Sequence, residues 1–133
     1  ARFIVSPGYR PALGQACRDE GLPLLPGVAT ASEIMAAGED GFRTLKFFPA
    51  TAAGGAPLLK AWHGPFGDVR FCPTGGIHAG NAAEFLALPN VACVGGSWLT
   101  PAQALAEGDW AAVEQLAAQA AALHRGGAAG AAG

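Results

Sequence analysis

The chain has 133 residues, 51% of them apolar, and its eight Lys and Arg against ten Asp and Glu leave a formal charge of −2. That length supports one domain with a real core rather than two, and the scattered basic residues form no stripe that would hold a nucleic-acid backbone. No apolar stretch reaches the roughly 20 residues a membrane helix needs, and no basic-then-apolar leader opens the chain, so we expect a soluble, cytoplasmic protein with neither nucleic-acid nor membrane partners.

The first predicted element is a strand over residues 2–6. The chain enters it within two residues of Ala1, with no initiator methionine, which reads as the beginning of a fragment. Ser6-Pro7-Gly8 ends the strand, and a helix is expected over 9–20. A second strand over 22–26 ends in Pro26-Gly27. The helix after it, 31–38, opens on Thr30-Ala31-Ser32-Glu33, the pattern of a capping box.

The third strand, 44–48, runs into Pro49-Ala50-Thr51 and Gly54-Gly55 before a helix over 57–63. The fourth, 69–73, delivers Pro73-Thr74-Gly75-Gly76-Ile77 and is followed by a helix over 79–88. The fifth, 91–95, ends in Gly95-Gly96-Ser97, and Asp109 caps a last alanine-rich helix over 110–124. Residues 126–133 are Gly and Ala only, so the domain is expected to end at residue 124 and 125–133 to form a disordered tail.

Five strand and helix pairs in alternation imply a parallel α/β sheet with right-handed crossovers. The pattern fits either an open doubly wound sheet or part of a (β/α)8 TIM barrel. In both, ligands bind at the carboxyl ends of the strands.

Lys46 lies inside an apolar run, Leu45-Lys46-Phe47-Phe48. Alternation puts it on the face opposite Leu45 and Phe47, with Thr44 and Phe48 beside it. Burial there would favour the neutral amine, the form that attacks a carbonyl to make a Schiff base. A strand lysine that snorkels, or that blunts a sheet edge, is the competing reading.

Two glycine pairs end the last two strands. Glycine lets backbone N–H groups approach an anion closely, and the loops after the final two strands of a (β/α)8 barrel commonly hold phosphate. Tight turns alone would need the same glycines. Thr74 and Ser97 add hydroxyls beside those loops. Arg10, past Ser6-Pro7-Gly8, is a basic residue on the same side. His63, His78 and His124 are too dispersed for a metal pattern, and His78 is read as a solvated loop residue. Cys17, Cys72 and Cys93 have neither disulfide nor zinc spacing and are expected as small core residues.

Leu45-Lys46-Phe47-Phe48-Pro49-Ala50, Arg70-Phe71-Cys72-Pro73-Thr74-Gly75-Gly76-Ile77 and Gly95-Gly96-Ser97-Trp98-Leu99, with Ser6-Pro7-Gly8 and Pro26-Gly27, resemble the 2-keto-3-deoxy-6-phosphogluconate (KDPG) and 4-hydroxy-2-oxoglutarate aldolases. The resemblance runs from Phe3 to about Leu123. It implies a (β/α)8 barrel, of which this chain carries strands four to eight as a partial barrel of five units without the first three. It also implies a homotrimer and a class I aldolase that needs no metal or cofactor and cleaves a phosphorylated 2-keto acid to pyruvate and glyceraldehyde 3-phosphate.

By that resemblance Lys46 is the catalytic Schiff-base lysine. Thr74, Pro7 and Phe48 border the substrate, and Gly75, Gly76, Gly96 and Ser97 hold its phosphate. The family's glutamate base and carboxylate-binding residues belong to the region before this chain. No carboxylate here replaces the base: Glu33 belongs to the capping box, Asp68 precedes a strand and so lies at the opposite end, and the others fall on helices or their flanks. The chain alone is therefore expected to be weak or inert, and a non-catalytic phosphosugar-binding or barrel-assembly module is the alternative.

Overall fold

Leu45 and Phe47 alternate with Thr44 and Lys46 along the sequence, and the computed structural model turns that alternation into a strand with one dry face. Leu45 and Phe47 are fully buried, while Thr44 is exposed and Lys46 half-buried. The structure describes residues 1–129. Its elements, in order, are β1 (Ile4–Val5), α1 (Pro11–Asp19), β2 (Leu24–Leu25), β3 (Gly27–Val28), α2 (Ala31–Glu39), β4 (Thr44–Phe47), α3 (Gly55–Trp62), β5 (Arg70–Pro73), α4 (Ala82–Leu86), a 3-10 turn (Ser97–Leu99), α5 (Ala102–Glu107) and α6 (Trp110–Ala129).

Every strand pairing is parallel. β1 lies on β2 with Ile4 opposite Leu24; β3, β4 and β5 form a second sheet in which Lys46 stands opposite Gly27 on one side and Cys72 on the other. The single strand expected over 22–26 thus appears as two, β2 and β3, divided at Pro26. Proline has no N–H for a ladder, and its carbonyl instead accepts from the Lys46 N–H at 2.8 Å while Leu25 accepts from Ser6 at 3.1 Å. The hydrogen-bonding partner therefore changes from β1 to β4 at this residue.

The fifth predicted strand is reduced to two isolated parallel bridges, Phe71 with Val91 and Thr74 with Gly95. From Val91 to Gly95 is one residue more than from Phe71 to Thr74, so the segment bulges away from the ladder. Among the described residues the sheet is two short pieces rather than one five-stranded wall. The helix expected over 79–88 shortens to α4 because the His78 N–H donates to Asn81 Oδ1 at 2.8 Å, holding a turn where the helix would begin. Of the tail expected over 125–133, residues 125–129 continue α6, and 130–133 lie outside the described residues.

The core sits between one face of β4 and β5 and the helices. Phe47 and Phe71 are both wholly buried and meet Trp62 of α3 from two sides, at centroid distances of 5.2 and 5.5 Å. Ile34 of α2, Leu59 of α3 and Phe85 of α4 complete it. Each such side chain contributes about 1.5–3 kcal/mol by leaving water. Buried Asn90 anchors the far end: its Nδ2 donates to Leu59 O at 2.8 Å and its carbonyl accepts from Phe71 N–H at 2.8 Å.

The expected caps are present. Thr30 and Glu33 satisfy each other's backbone N–H groups, and the Ala112 N–H donates to Asp109 Oδ1 at 3.0 Å. Among the described residues no helix is long and apolar enough to cross a membrane.

Candidate active site

Because Leu45 and Phe47 face the helices, Lys46 is obliged to face the other way, and its long side chain extends along the open side of the sheet. Its Nζ lies 4.6 Å from the centroid of the Phe48 ring, within the range where an ammonium is attracted to an aromatic face. Lys46 is half-buried, between the buried lysine and the snorkelling one that the apolar run allows. The strand is apolar on its helix side, whereas the Lys46 side is only partly covered.

Beyond Phe48 lies an open cavity of about 460 Å³ at the carboxyl ends of β4 and β5. Of the expected site residues, Phe48, Thr74, Gly75, Gly76, Gly96 and Ser97 line it, and Ile77, His78 and Gly95 line it as well. Lys46 and Pro7 are not among its walls. The lysine reaches toward it through Phe48, whereas Pro7 is packed over Gly27, where a Cβ would stand only 2.2 Å from the Pro7 carbonyl group. Gly27 is thereby required by close approach, and it is the residue opposite Lys46.

The glycine loop is held against the loop after β4. The N–H groups of Ala50 and Thr51 donate to Thr74 O at 2.7 Å and Gly75 O at 3.1 Å, and Phe48-Pro49 is a cis peptide bond. Gly75 and Gly76 have φ of 94° and 75°, the left-handed region where a Cβ is strained. At Gly76 a Cβ would also fall 1.9 Å from Thr51 Oγ1. The N–H groups of Gly76 and Gly96 donate to no protein acceptor among the described residues. Thr74 Oγ1 is buried without a hydrogen-bond partner, a condition that costs about 1–3 kcal/mol unless a bound group relieves it.

Among the described residues neither a carboxylate nor a Lys or Arg lines this cavity. Glu33 is occupied with the Ala29 and Thr30 N–H groups. Asp68 pairs with Arg43 at 2.9 Å ahead of β4 and β5, at the opposite ends of these strands. Arg10 belongs to a separate cavity of about 320 Å³ with Ser6, Tyr9 and Glu33.

Of the three cysteines expected in the core, Cys17 and Cys72 are buried and Cys93 is exposed, because the bulge after Val91 carries it to the sheet edge. Interaction with Cys93, followed by burial, pushes the Cys72 thiol well above the usual thiol range, with Lys46 opposing, and interaction with Cys72 lowers Cys93 to about 7.

A family model described as "Aldolase: KDPG and KHG aldolase" matches residues 1–116. The chain belongs to the KDPG and KHG aldolase family. It is 52% identical over 120 residues to a 2-dehydro-3-deoxy-phosphogluconate aldolase of Pseudomonas aeruginosa, covering 90% of this chain and 54% of that protein. It is 48% identical over 120 residues to a KHG/KDPG aldolase of Escherichia coli K12, covering 90% and 56%.

A crystal structure of KDPG aldolase from Legionella pneumophila, with pyruvate captured as a covalent carbinolamine intermediate, superimposes with a TM-score of 0.84 at 51% identity. That match covers 87% of this chain and 56% of the other. The KDPG aldolase from Zymomonas mobilis ATCC 29191 gives a TM-score of 0.84 at 43% identity, covering 92% and 58%. The chain spans about half the length of the KDPG aldolases it matches. Over the matched length its fold follows part of those α/β TIM-barrel aldolases.

Proposed function

We propose that this chain carries the nucleophile and phosphate half of a class I aldolase acting on 2-dehydro-3-deoxy-6-phosphogluconate. It would correspond to strands four to eight of the barrel, with residues 1–124 as the domain. The observation that carries the reading is the placement of Lys46. It lies on the open face of β4, with Phe48 between it and a glycine-walled cavity at the strand ends. The covalent pyruvate intermediate in the similar Legionella enzyme adds support.

In this reading the neutral Lys46 amine attacks the C2 ketone, and loss of water gives a protonated imine that draws electrons from the C3–C4 bond. A base takes the proton of the C4 hydroxyl. Cleavage then releases glyceraldehyde 3-phosphate and leaves a pyruvate enamine, which is protonated at C3 and hydrolysed from the lysine. Gly75, Gly76, Gly96 and Ser97 hold the phosphate, so that its binding energy positions the reacting carbons. Thr74 and Phe48 border the substrate. Pro7 shapes the site through Gly27 rather than by lining the cavity.

The base and the carboxylate clamp are assigned to the part of the relatives that this chain does not span. A missing general base typically forfeits about 10²- to 10⁴-fold in rate, so the chain by itself is proposed to bind and form the imine far better than it turns over. The homotrimer and the cytoplasmic setting that the family resemblance implies belong to the same proposal.

Treatment with pyruvate and borohydride tests the central claim. Reduction of the imine leaves a carboxyethyl group on Lys46, detectable by peptide mass spectrometry; an unmodified Lys46 in folded protein would overturn the assignment. The absence of any carboxylate from the cavity walls favours a second reading, a phosphosugar-binding or barrel-assembly module in which Lys46 only attracts an anion. That reading expects phosphate binding without the adduct.

A further inference from the structure

His78 is the one titratable side chain lining the glycine cavity among the described residues. Its surroundings are built. The His78 backbone N–H donates to Asn81 Oδ1 at 2.8 Å, Asn81 Nδ2 donates to Gly76 O at 2.9 Å, and the Gly80 N–H donates to His78 Nδ1 at 3.1 Å. The first two bonds tie the histidine to the second glycine of the loop, and the third decides its chemistry. A ring nitrogen that accepts a hydrogen bond carries no proton, so in the neutral imidazole the proton is on Nε2. Nε2 lies across the ring from the Gly80 contact, and it is a donor.

The cavity supplies little else to meet a dianion. Among the described residues no lysine or arginine lines it, and the residues there with side-chain donors are Ser97, His78 and Thr74, whose Oγ1 is itself buried. We propose that His78 is a further phosphate-binding residue, donating Nε2–H to the substrate's phosphoryl group and setting the preference for phosphorylated over unphosphorylated 2-keto acids. The inference rests on the aldolase reading of this cavity and deepens it. Asn81 acts as a positioning residue, since its amide holds the histidine backbone against the Gly76 carbonyl.

Inorganic phosphate is the probe. Titrated into the wild-type chain labelled with 15N-histidine, it is expected to move the Nε2 resonance of His78 saturably and to leave the resonances of His63 in place. His78→Leu is expected to weaken phosphate about tenfold, the cost of a lost hydrogen bond to a charged group. His78→Gln, whose amide reaches the position of Nε2, should recover most of the affinity.

Pyruvate and borohydride labelling of Lys46 should be equal in all three proteins, because pyruvate carries no phosphate. Unchanged phosphate affinity in His78→Leu, or a silent Nε2 resonance while phosphate binds elsewhere in the loop, would overturn the role of His78 and leave the aldolase reading standing. No phosphate binding by the wild type would remove both the role and the phosphate site. Failure of Lys46 labelling with phosphate binding intact would remove the Schiff base alone.

Discussion

The Lys46 ammonium stands 4.6 Å from the centre of the Phe48 ring, and Phe48 in turn forms a wall of the glycine cavity. In the proposed aldolase reading, nucleophile and phosphate site would therefore be joined by one aromatic ring rather than by direct contact. A substrate spanning them would lie with its keto end near Lys46 and its phosphate among residues 75, 76, 96 and 97.

Lys46→Arg separates charge from nucleophilicity at this position. Arginine keeps the cation over Phe48 but is not deprotonated in proteins, so it cannot form an imine. The pyruvate adduct should vanish, phosphate affinity should change less than about twofold, and stability should stay within about 1 kcal/mol, since Lys46 is only half-buried. Mass spectrometry and urea denaturation read the two effects. A large loss of stability would mean that Lys46 is chiefly a structural cation.

Gly76→Ala should damage the loop twice. The residue has φ of 75°, and its new Cβ would meet Thr51 Oγ1 at 1.9 Å. Left-handed strain alone costs about 1–3 kcal/mol, and relief of the clash would push the loops after β4 and β5 apart. We expect a loss of at least that size in urea unfolding, together with weaker phosphate binding. Gly64→Ala is the control: nothing lies within 4 Å of the new methyl, and a change of about 0.5 kcal/mol or less is expected.

These contrasts also show which features the sequence made legible. β4 was readable because it alternates one buried face against helices, β5 because it is a short apolar run buried from Phe71 to Pro73, and Thr30-Glu33 and Asp109 because caps are local. The division at Pro26 turns on which neighbouring strand each carbonyl serves, a property of tertiary pairing. The bulge over 91–95, which exposes Cys93, is likewise visible only as a register mismatch with β5. Helix α5 was missed although its signal was present: Pro101 precedes it, and Gly108 ends it in the left-handed conformation with φ of 68°.

Site membership followed the same division. The glycine pairs were recognisable because strand ends must deliver the ligand loops. His78 reads from the sequence as a solvated loop residue and is indeed exposed, but the contact of its Nδ1 with the Gly80 N–H is one that no spacing rule displays. Pro7 was expected at the cavity but packs over Gly27, since the absent glycine side chain admits the backbone there.

Cys93 should be the reactive thiol. The interaction with Cys72 favours the Cys93 thiolate and lowers it to about 7, whereas Cys72 is raised and buried. The iodoacetamide rate at Cys93 should therefore climb as pH rises and reach half its plateau near pH 7, with Cys17 and Cys72 protected in the native protein. Cys72→Ala removes the neighbouring thiol and should move the Cys93 midpoint upward. Equal labelling of all three cysteines at neutral pH would contradict the pairing.

Thr74→Val tests whether the cavity is strained toward a ligand. Valine keeps the branched shape of threonine and replaces Oγ1, which is buried without a partner, by a methyl group. An unsatisfied hydroxyl costs about 1–3 kcal/mol, so the variant should be as stable as the wild type or more so, by up to about 1 kcal/mol in urea unfolding. In the aldolase reading pyruvate trapping on Lys46 should fall at the same time, because the substrate would draw the Thr74 hydroxyl out of its buried position and valine has none to offer. A variant that is less stable and traps pyruvate normally would show instead that Thr74 is satisfied by bound water and serves the fold.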